Sequence, residues 1–286
     1  MLKGFIKTVN IRCRDFNIHD ERLGSREVAL SVEKICDLFF EFSNEDRLSI
    51  LYKLINGANT VTSLSRDLDL TTQETSRHLS RLMEIGLTFR EPDGSHRLTP
   101  YGELSLAQMR GFRFTCAHIN YMKSHKLTGI PLEFIARLGE LEHSVYTDDV
   151  MVTFHRVQQT IRTAEDYVLR LTDRYIITAI PMWEEALNRG VEFRLIDPKD
   201  IVIPREFDRG PILLKALRSG QFVNRFIESV NVFMALSEKE VAIICFPGAD
   251  GRIDYRGFHS DDPEVQKWAK DLFEYYWERS KSRDAQ

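Results

Sequence analysis

Apolar residues recur at helical spacing along the first third of the chain. From Val28 to Phe42 they return every three or four positions, which predicts an amphipathic helix with one apolar stripe. Ser43 or Asn44 can cap a second helix, which the Asn56-Gly57 pair would end. The apolar residues of the first stripe are Val32, Ile35, Leu38, Phe39 and Phe42, and those of the second helix are Leu48, Leu51, Tyr52 and Ile55.

Two further helices are predicted after a short break. Thr60 or Thr62 begins a short helix that ends near Leu68. Thr71 and Glu74 then have the spacing of a capping box, in which each residue satisfies a backbone N–H group of the other. The pattern is therefore helix, tight turn, longer helix.

A strand, a turn and a second strand follow this pair of helices. The longer helix stops at Gly86, residues 87–91 alternate in polarity, residues 92–95 are turn formers, and residues 96–99 return as a strand. The order of helix, short helix, longer helix and hairpin predicts a winged helix-turn-helix within residues 44–100.

Helix and strand patterns alternate after a polar linker at residues 123–131, which predicts an α/β domain. A helix at 101–121 precedes the linker. After it, the predicted helices span 135–141, 157–164, 182–188 and 263–279, and the predicted strands span 167–171, 191–196, 224–229, 232–236, 241–246 and 253–258.

The fold class follows from these elements: an N-terminal winged helix-turn-helix joined to a C-terminal α/β domain, so that the whole chain is α+β or α/β. We expect an N-terminal arm at residues 1–27. Residues 28–125 would form the DNA-binding domain with its connecting helix, and residues 131–286 a domain for effector sensing or dimerisation.

The overall charge argues against nucleic-acid binding. The chain of 286 residues has a net charge of −4, and residues 28–110 carry nine Lys and Arg against twelve Asp and Glu. A DNA-binding domain is usually basic. The prediction therefore depends on where the charges lie, not on their sum.

The longer helix, at about residues 72–85, has a face that is suited to DNA although the domain as a whole is negatively charged. Leu79, Leu82 and Met83 form its packed side. Glu74, at the edge of the opposite face, is the one carboxylate that the helix pattern places there. The residues expected to face outward are Thr72, Gln73, Ser76, Arg77, Ser80 and Arg81.

These side chains suit the major groove of double-stranded DNA. Gln73 can read adenine and Arg77 guanine through paired hydrogen bonds. Thr72, Ser76 and Arg81 are expected to hold phosphates, assisted by the N–H groups at the start of the helix. For His78 a packing role and a phosphate contact are both open.

The hairpin at residues 87–99 is expected to lie along the DNA backbone or in the minor groove, and its contacts would come from Arg90, Ser95, His96 and Arg97. One module of this size reads few base pairs. We therefore expect a homodimer on a two-fold-related operator.

The same residues carry a family resemblance. Residues 71–87, with a Ser-Arg-His-Leu core and a closing Gly-Leu, resemble the reading helix of arsenic-repressor-like winged-helix regulators. The whole chain resembles archaeal regulators of the methanogenesis-regulatory type, in which a winged helix precedes a family-specific middle domain. Residues 186–194 are similar to a helix–Gly–strand step in the phospholipase-D-like sensor domains of archaeal sugar regulators. The resemblance implies transcription control with a C-terminal domain that senses a signal.

Two other functions stay open at this point. The winged helix could be an adaptor that binds protein, and the C-terminal domain could be a degenerate hydrolase. Phospholipase-D chemistry needs an H-x-K motif, and none of the eight histidines is followed by Lys two positions on. Nucleotide-binding glycine loops and the nucleophile elbow are also absent from the sequence. We therefore predict a protein that is not an enzyme and has no cofactor.

Metal binding and membrane attachment have little support. Cys116 and His118, with His125 nearby, have the wrong spacing for a tetrahedral site and are predicted to lie in a helix. The four cysteines form no CxxC pair, and neither a signal peptide nor a run of 18 apolar residues is present. We expect a cytoplasmic protein that responds, if at all, to a small-molecule effector of unknown identity.

Overall fold

The computed structural model describes residues 25–174, 179–202 and 210–282. The chain divides into two compact units between Met109 and Arg110. The predicted domain limits, 28–125 and 131–286, stay a prediction. The predicted arm at 1–27 lies outside the described residues except for its last three, which begin the first helix.

The first unit is a winged helix-turn-helix, as the sequence predicts. Its helices are α1 (Ser25–Phe42), α2 (Glu45–Ile55), α3 (Val61–Asp67) and α4 (Thr72–Glu84), followed by the strands β1 (Thr88–Arg90) and β2 (His96–Leu98). The antiparallel pairing of Phe89 with Arg97 makes the two strands a hairpin. The next helix, α5 (Pro100–Ala117), crosses the division between the units.

Polar caps determine where these helices begin. The side chains of Asn44, Thr60 and Thr71 accept hydrogen bonds from the backbone N–H groups of the first turns of α2, α3 and α4. Each cap satisfies a donor that a helix start leaves without an intrahelical partner. The apolar faces of the capped helices then share one core, whose buried members are Phe42, Ile50, Leu51, Leu54, Leu64, Leu79, Leu82, Leu87, Leu98 and Leu106.

The apolar stripe of α1 differs from the prediction. Phe42 at its end is buried, but Val32, Ile35 and Phe39 keep 54%, 49% and 44% of their surface exposed. These residues lie on one face of the helix, because three or four positions correspond to about one turn. The periodicity correctly predicts a helix, but the described part of the first unit buries only the end of its apolar stripe, at Phe42 and partly at Leu38.

The second unit is a mixed sheet with helices on both faces. Its helices are α6 (Ile119–Ser124), α7 (Leu132–Ala136), α8 (Val150–Thr163), α9 (Ile180–Arg189), α10 (Gly210–Ser219) and α11 (Pro263–Arg279), with one 3-10 turn at Leu138–Leu141. Its strands are β3 (Val145–Thr147), β4 (Tyr167–Leu171), β5 (Glu192–Pro198), β6 (Phe222–Ile227), β7 (Phe233–Ser237), β8 (Val241–Cys245), β9 (Gly257–Ser260) and β10 (Lys281–Ser282).

The strands follow the order β10-β6-β5-β4-β7-β8-β9-β3 among the described residues. The central strands β4, β5 and β6 are parallel, and the other pairs are antiparallel. One face packs on α11 through residues such as Trp268 and Leu272, and the other on α8, α9 and α10 through residues such as Val157 and Trp183. This confirms the α/β class, and the structure reproduces the predicted spans of β4 and α11.

Three elements of this unit do not appear among the sequence predictions. β3 and β10 have three and two residues, too few for a polarity pattern, and α10 follows a stretch outside the described residues. The predicted strand 253–258 begins only at Gly257. Tyr255 has a φ of 63°, which is incompatible with a strand and displaces the start of β9.

Two histidines lie in the interior of the first unit. His78 of α4 is 6% exposed and His96 of β2 is 4% exposed. Burial lowers the pKa of both imidazoles below the ordinary value of 6.5, because a buried ring loses the water that stabilises its charged form. Both are therefore neutral at pH 7.

Two glycines of α5 provide a matched test of packing. A Cβ on Gly102 would lie 2.2 Å from the carbonyl oxygen of Leu87, whereas a Cβ on Gly111 would meet nothing closer than 3.8 Å. Gly102→Ala should destabilise the protein by about 1–3 kcal/mol, because backbone cannot move aside cheaply. Gly111→Ala should stabilise it by about 0.5–1 kcal/mol through helix propensity. Urea unfolding followed by circular dichroism measures both, and equal effects of the two substitutions would contradict the packing.

The buried histidines predict a pH dependence. Their folded-state pKa lies below that of the unfolded chain, so the unfolded state binds more protons once the pH falls through about 6.5. The free energy of unfolding should therefore be largest above that pH and fall as the pH falls. His78→Gln and His96→Gln should each flatten this slope between about pH 7.5 and about pH 5.5. Some slope will persist, because burial also lowers the pKa of His118 and His259. An unchanged slope in the double variant would refute this explanation.

Candidate nucleic-acid interface

A capping box fixes the start of α4. The Thr71 hydroxyl oxygen accepts the Glu74 backbone N–H at 3.2 Å, and Glu74 Oε2 accepts the Thr71 backbone N–H at 3.0 Å. The Thr71 hydroxyl also donates to Glu74 Oε2 at 2.7 Å, and this hydrogen bond, together with the one from the Thr71 backbone N–H, lowers the pKa of Glu74. The first turn of α4 is thereby ordered before any ligand arrives.

The two sides of α4 have different chemistry. Thr75, His78, Leu79 and Leu82 are buried against the rest of the unit. The exposed side chains along the opposite face are those of Thr72, Gln73, Ser76, Arg77, Ser80 and Arg81. The structure thus brings all the predicted contact residues of this helix except His78 together on one solvent-facing surface, which we call the α4 outer face.

Arg81, predicted to hold a phosphate, is already held by a carboxylate from α1. Its Nη2 lies 2.8 Å from Glu41 Oε1, while Glu41 Oε2 lies 2.7 Å from Nε of Arg47. The guanidinium carbons of both arginines lie over the ring of Phe40, at 5.5 and 5.6 Å from its centre. The pKa of Arg81 is raised by this hydrogen bond to Glu41. A phosphate would have to compete with Glu41 for Arg81.

His78 belongs to the interior and not to the α4 outer face. Its Nε2 lies 3.5 Å from Asp46 Oδ2, and burial outweighs this carboxylate, so that the net shift of its pKa is downward. The structure corrects the open prediction for this residue, because a buried neutral ring cannot reach a phosphate. Its role is packing between α4 and α2.

Two of the four predicted contact residues of the hairpin are exposed, and two are buried. Arg90 and Arg97 are exposed, and Arg97 Nε is 3.3 Å from Glu91 Oε1. Ser95 and His96 are buried, which corrects the prediction that they contact DNA. Ser95 Oγ donates to Asp93 Oδ1 at 2.7 Å and closes the turn, and the His96 backbone pairs with Asn59. The alternation of a strand puts Arg97 outside and His96 inside.

Sequence reasoning missed Glu41. Its position near the end of α1 suggests an ordinary surface carboxylate, and nothing in the local pattern connects it with Arg81, 40 residues later. The sequence also does not indicate that Arg47 faces inward, where it is 7% exposed. An acid near the end of one helix and a base in the next would be the sole sequence signal.

No metal-binding group of three or more His, Cys, Asp or Glu occurs among the residues that the structure describes. Within that same part of the chain, no helix is long and apolar enough to cross a membrane.

Known proteins resemble the chain in both of its parts. Residues 44–87 match the family model of bacterial regulatory proteins of the arsR family, and residues 151–279 match that of the middle domain of the methanogenesis regulatory protein FilR1. No curated protein matches the chain in sequence.

Solved structures give weaker likenesses. The archaeal chromatin protein TrmBL2, described with a novel mode of DNA binding, is 15% identical, with 84% of this chain and 94% of that chain covered and a TM-score of 0.41. NucT from Helicobacter pylori is 11% identical, covering 49% and 96%, with a TM-score of 0.35. Nuc from Salmonella typhimurium, a phospholipase D family member, is 8% identical, covering 44% and 87%, with a TM-score of 0.31. All three scores are below 0.5, and the fold assignment rests on the topology of the chain itself.

The two family matches occur in the order that the sequence predicts, a reading module followed by a regulator-specific domain. The chain is therefore a DNA-binding transcriptional regulator, in which residues 44–87 are similar to regulators of the arsR family and residues 151–279 to the middle domain of the methanogenesis regulatory protein FilR1.

Proposed function

We propose that α4 enters the major groove of its operator, with Gln73 and Arg77 towards base edges and Thr72 and Ser76 towards phosphates. The observation that carries this proposal is the α4 outer face, on which exposed polar and cationic side chains follow one another from Thr72 to Arg81, with the exposed carboxylate of Glu84 beyond them at the end of the helix. Glu74 at its edge is committed to the capping box. Glutamine and arginine can each form two hydrogen bonds with one purine.

The hairpin would follow the DNA backbone through Arg90 and Arg97. Both side chains are exposed, which supports a phosphate contact. Arg81 has a different role in this proposal: Glu41 neutralises it, so that it orients α4 more than it attracts DNA. The protein would thus bind DNA through a few cations against a negative total charge, and its affinity should depend strongly on salt.

A homodimer would explain the exposed apolar stripe of α1. One apolar face of the helix is formed by Val32, Ile35 and Phe39. Burying such a face in a dimer is favourable by about 25 cal/mol for each Å² of apolar surface that is removed from water. A second copy of the chain has the same stripe, and self-complementary contacts form two-fold dimers. Two reading helices related in this way would match a palindromic operator.

The second unit would sense an effector or support the dimer, in a protein that acts in the cytoplasm without catalysis. The main alternative is a protein-binding adaptor, in which the α4 outer face meets another protein. The DNA measurements below decide between the two, because salt-dependent binding to random duplex is a property of phosphate recognition.

DNA binding tests the proposed interface. Fluorescence anisotropy with random duplex should give an affinity that falls steeply with salt, by about 0.9 in the slope of log affinity against log salt for each phosphate contact. Arg77→Ala should weaken binding, and Arg90→Ala or Arg97→Ala should each lower the slope by about 0.9.

Arg162→Ala is the matched control, because Arg162 is an exposed arginine of α8 in the other unit. It should bind as the parent does. Failure of the parent to bind at low salt would refute DNA reading, and equal weakening by Arg77→Ala and Arg162→Ala would refute the assignment to α4.

The α1 stripe gives a separate prediction. Ile35→Glu should convert the chain from dimer to monomer in sedimentation velocity, because a charge would be buried in an apolar contact. Val202→Glu, at a position that is 80% exposed in the other unit, should leave the dimer intact. A dimer that survives Ile35→Glu would place the interface elsewhere.

A further inference from the structure

Arg81 on the α4 outer face shares one carboxylate with Arg47. Glu41 Oε1 accepts a hydrogen bond from Arg81 Nη2 at 2.8 Å. Glu41 Oε2 lies 3.4 Å from Arg81 Nε and 2.7 Å from Arg47 Nε. The side chain of Glu41 is 5% exposed, whereas that of Arg81 is 45% exposed. One negative charge therefore serves two cations, and the cation on the α4 outer face is the one that solvent reaches.

Glu41 would keep a partner if Arg81 left it. Arg47 is buried, pairs with Glu41 and also donates to the backbone carbonyls of Phe40 and Glu41 at 2.9 and 3.1 Å. A buried carboxylate is strongly unfavourable when it loses its only cation, but here a second cation stays in place. An anion can therefore replace Glu41 on Arg81 without leaving the carboxylate unpaired.

The position of Arg81 along α4 suits a phosphate contact. It follows Gln73 by eight residues and Arg77 by four, so the three side chains lie along one side of the helix. Eight residues of α-helix span about 12 Å. The major groove is also about 12 Å wide. With Gln73 at the base edges, Arg81 would lie near the phosphates that border the groove.

We propose that Glu41 limits the affinity of the protein for DNA by withholding Arg81 from the backbone phosphates. The carboxylate and a phosphate oxygen compete for the same N–H groups, and the carboxylate is held beside them by the fold. A phosphate contact strengthens binding to every sequence alike, so withholding one keeps the protein from being retained on random DNA. This inference rests on the proposed DNA-binding function and adds an acidic residue that sets its strength.

The test compares DNA affinity at several salt concentrations. Fluorescence anisotropy with random duplex is recorded for the full chain, for Glu41→Gln and, as the matched control, for Glu45→Gln. Glu45 is an exposed residue of α2 in the same unit, four positions from Glu41, and its substitution removes the same charge. The comparison thus separates the contact with Arg81 from a general change in the charge of the unit.

Glu41→Gln should bind DNA more tightly than the parent. The slope of its log affinity against log salt should be steeper by about 0.9, because Arg81 then contacts a phosphate. Its affinity relative to the parent should rise about eightfold for each tenfold fall in salt. Glu45→Gln should keep the parent slope. Damage to the fold would weaken binding, so a gain in affinity distinguishes this role of Glu41 from a merely structural one.

Substitution of Arg81 shows whether the gain comes from this cation. Arg81→Gln alone should leave the slope of the parent unchanged, since Glu41 already occupies the guanidinium. In the Glu41→Gln background, the same substitution should remove the added slope of about 0.9. Arg81→Gln leaves Glu41 paired with Arg47, so this variant keeps the test decisive if Glu41→Gln fails to fold. Circular dichroism monitors the folding of each variant.

Two results would overturn the proposal. One is an equal slope for folded Glu41→Gln and Glu45→Gln. The other is a slope lowered by about 0.9 in Arg81→Gln, which would mean that Arg81 already contacts a phosphate in the parent. Failure of the parent to bind random duplex at low salt is a different outcome, because it refutes the proposed DNA-binding function and this inference with it.

Discussion

The carboxylate of Glu41 connects three helices of the first unit. It comes from α1, pairs with Arg47 of α2 at 2.7 Å and with Arg81 of α4 at 2.8 Å, and is 5% exposed in its side chain. Removing one partner of a buried ion pair leaves a charge without compensation, which is strongly unfavourable. Arg47 also donates to the backbone carbonyls of Phe40 and Glu41. The direction in which α4 presents its outer face therefore depends on where α1 ends.

The same interaction reconciles the negative charge of the unit with its function. A sum of charges does not distinguish acids that face DNA from acids that are already bound to a cap or an arginine. Glu41 and Glu74 are bound in these two ways, and neither opposes the α4 outer face with a free charge. The position of the charges is thus more informative than the pI of the chain. Because some cations are paired with carboxylates, few cations remain for DNA.

The sequence predicts the reading module well because its information is local. The start of α4 is predicted by Thr71 and Glu74, its end by Gly86, and the turn of the hairpin by residues 92–95. Each of these signals depends on residues within a few positions of one another. What it missed depends on contacts distant along the chain. Glu41 and Arg81 are 40 residues apart, and the burial of His96 follows from pairing with Asn59.

In the proposed function, the outer face of α4 meets DNA bases. Photo-crosslinking tests it most directly: a photoreactive amino acid replaces Gln73 on that face, or Arg162 on α8 as a control, in the full-length protein with duplex DNA. If α4 reads the major groove, position 73 should crosslink to DNA at bases in the major groove, and position 162 should not crosslink. Crosslinks of equal yield from both positions, or none from position 73 while the protein remains bound to DNA, would contradict it.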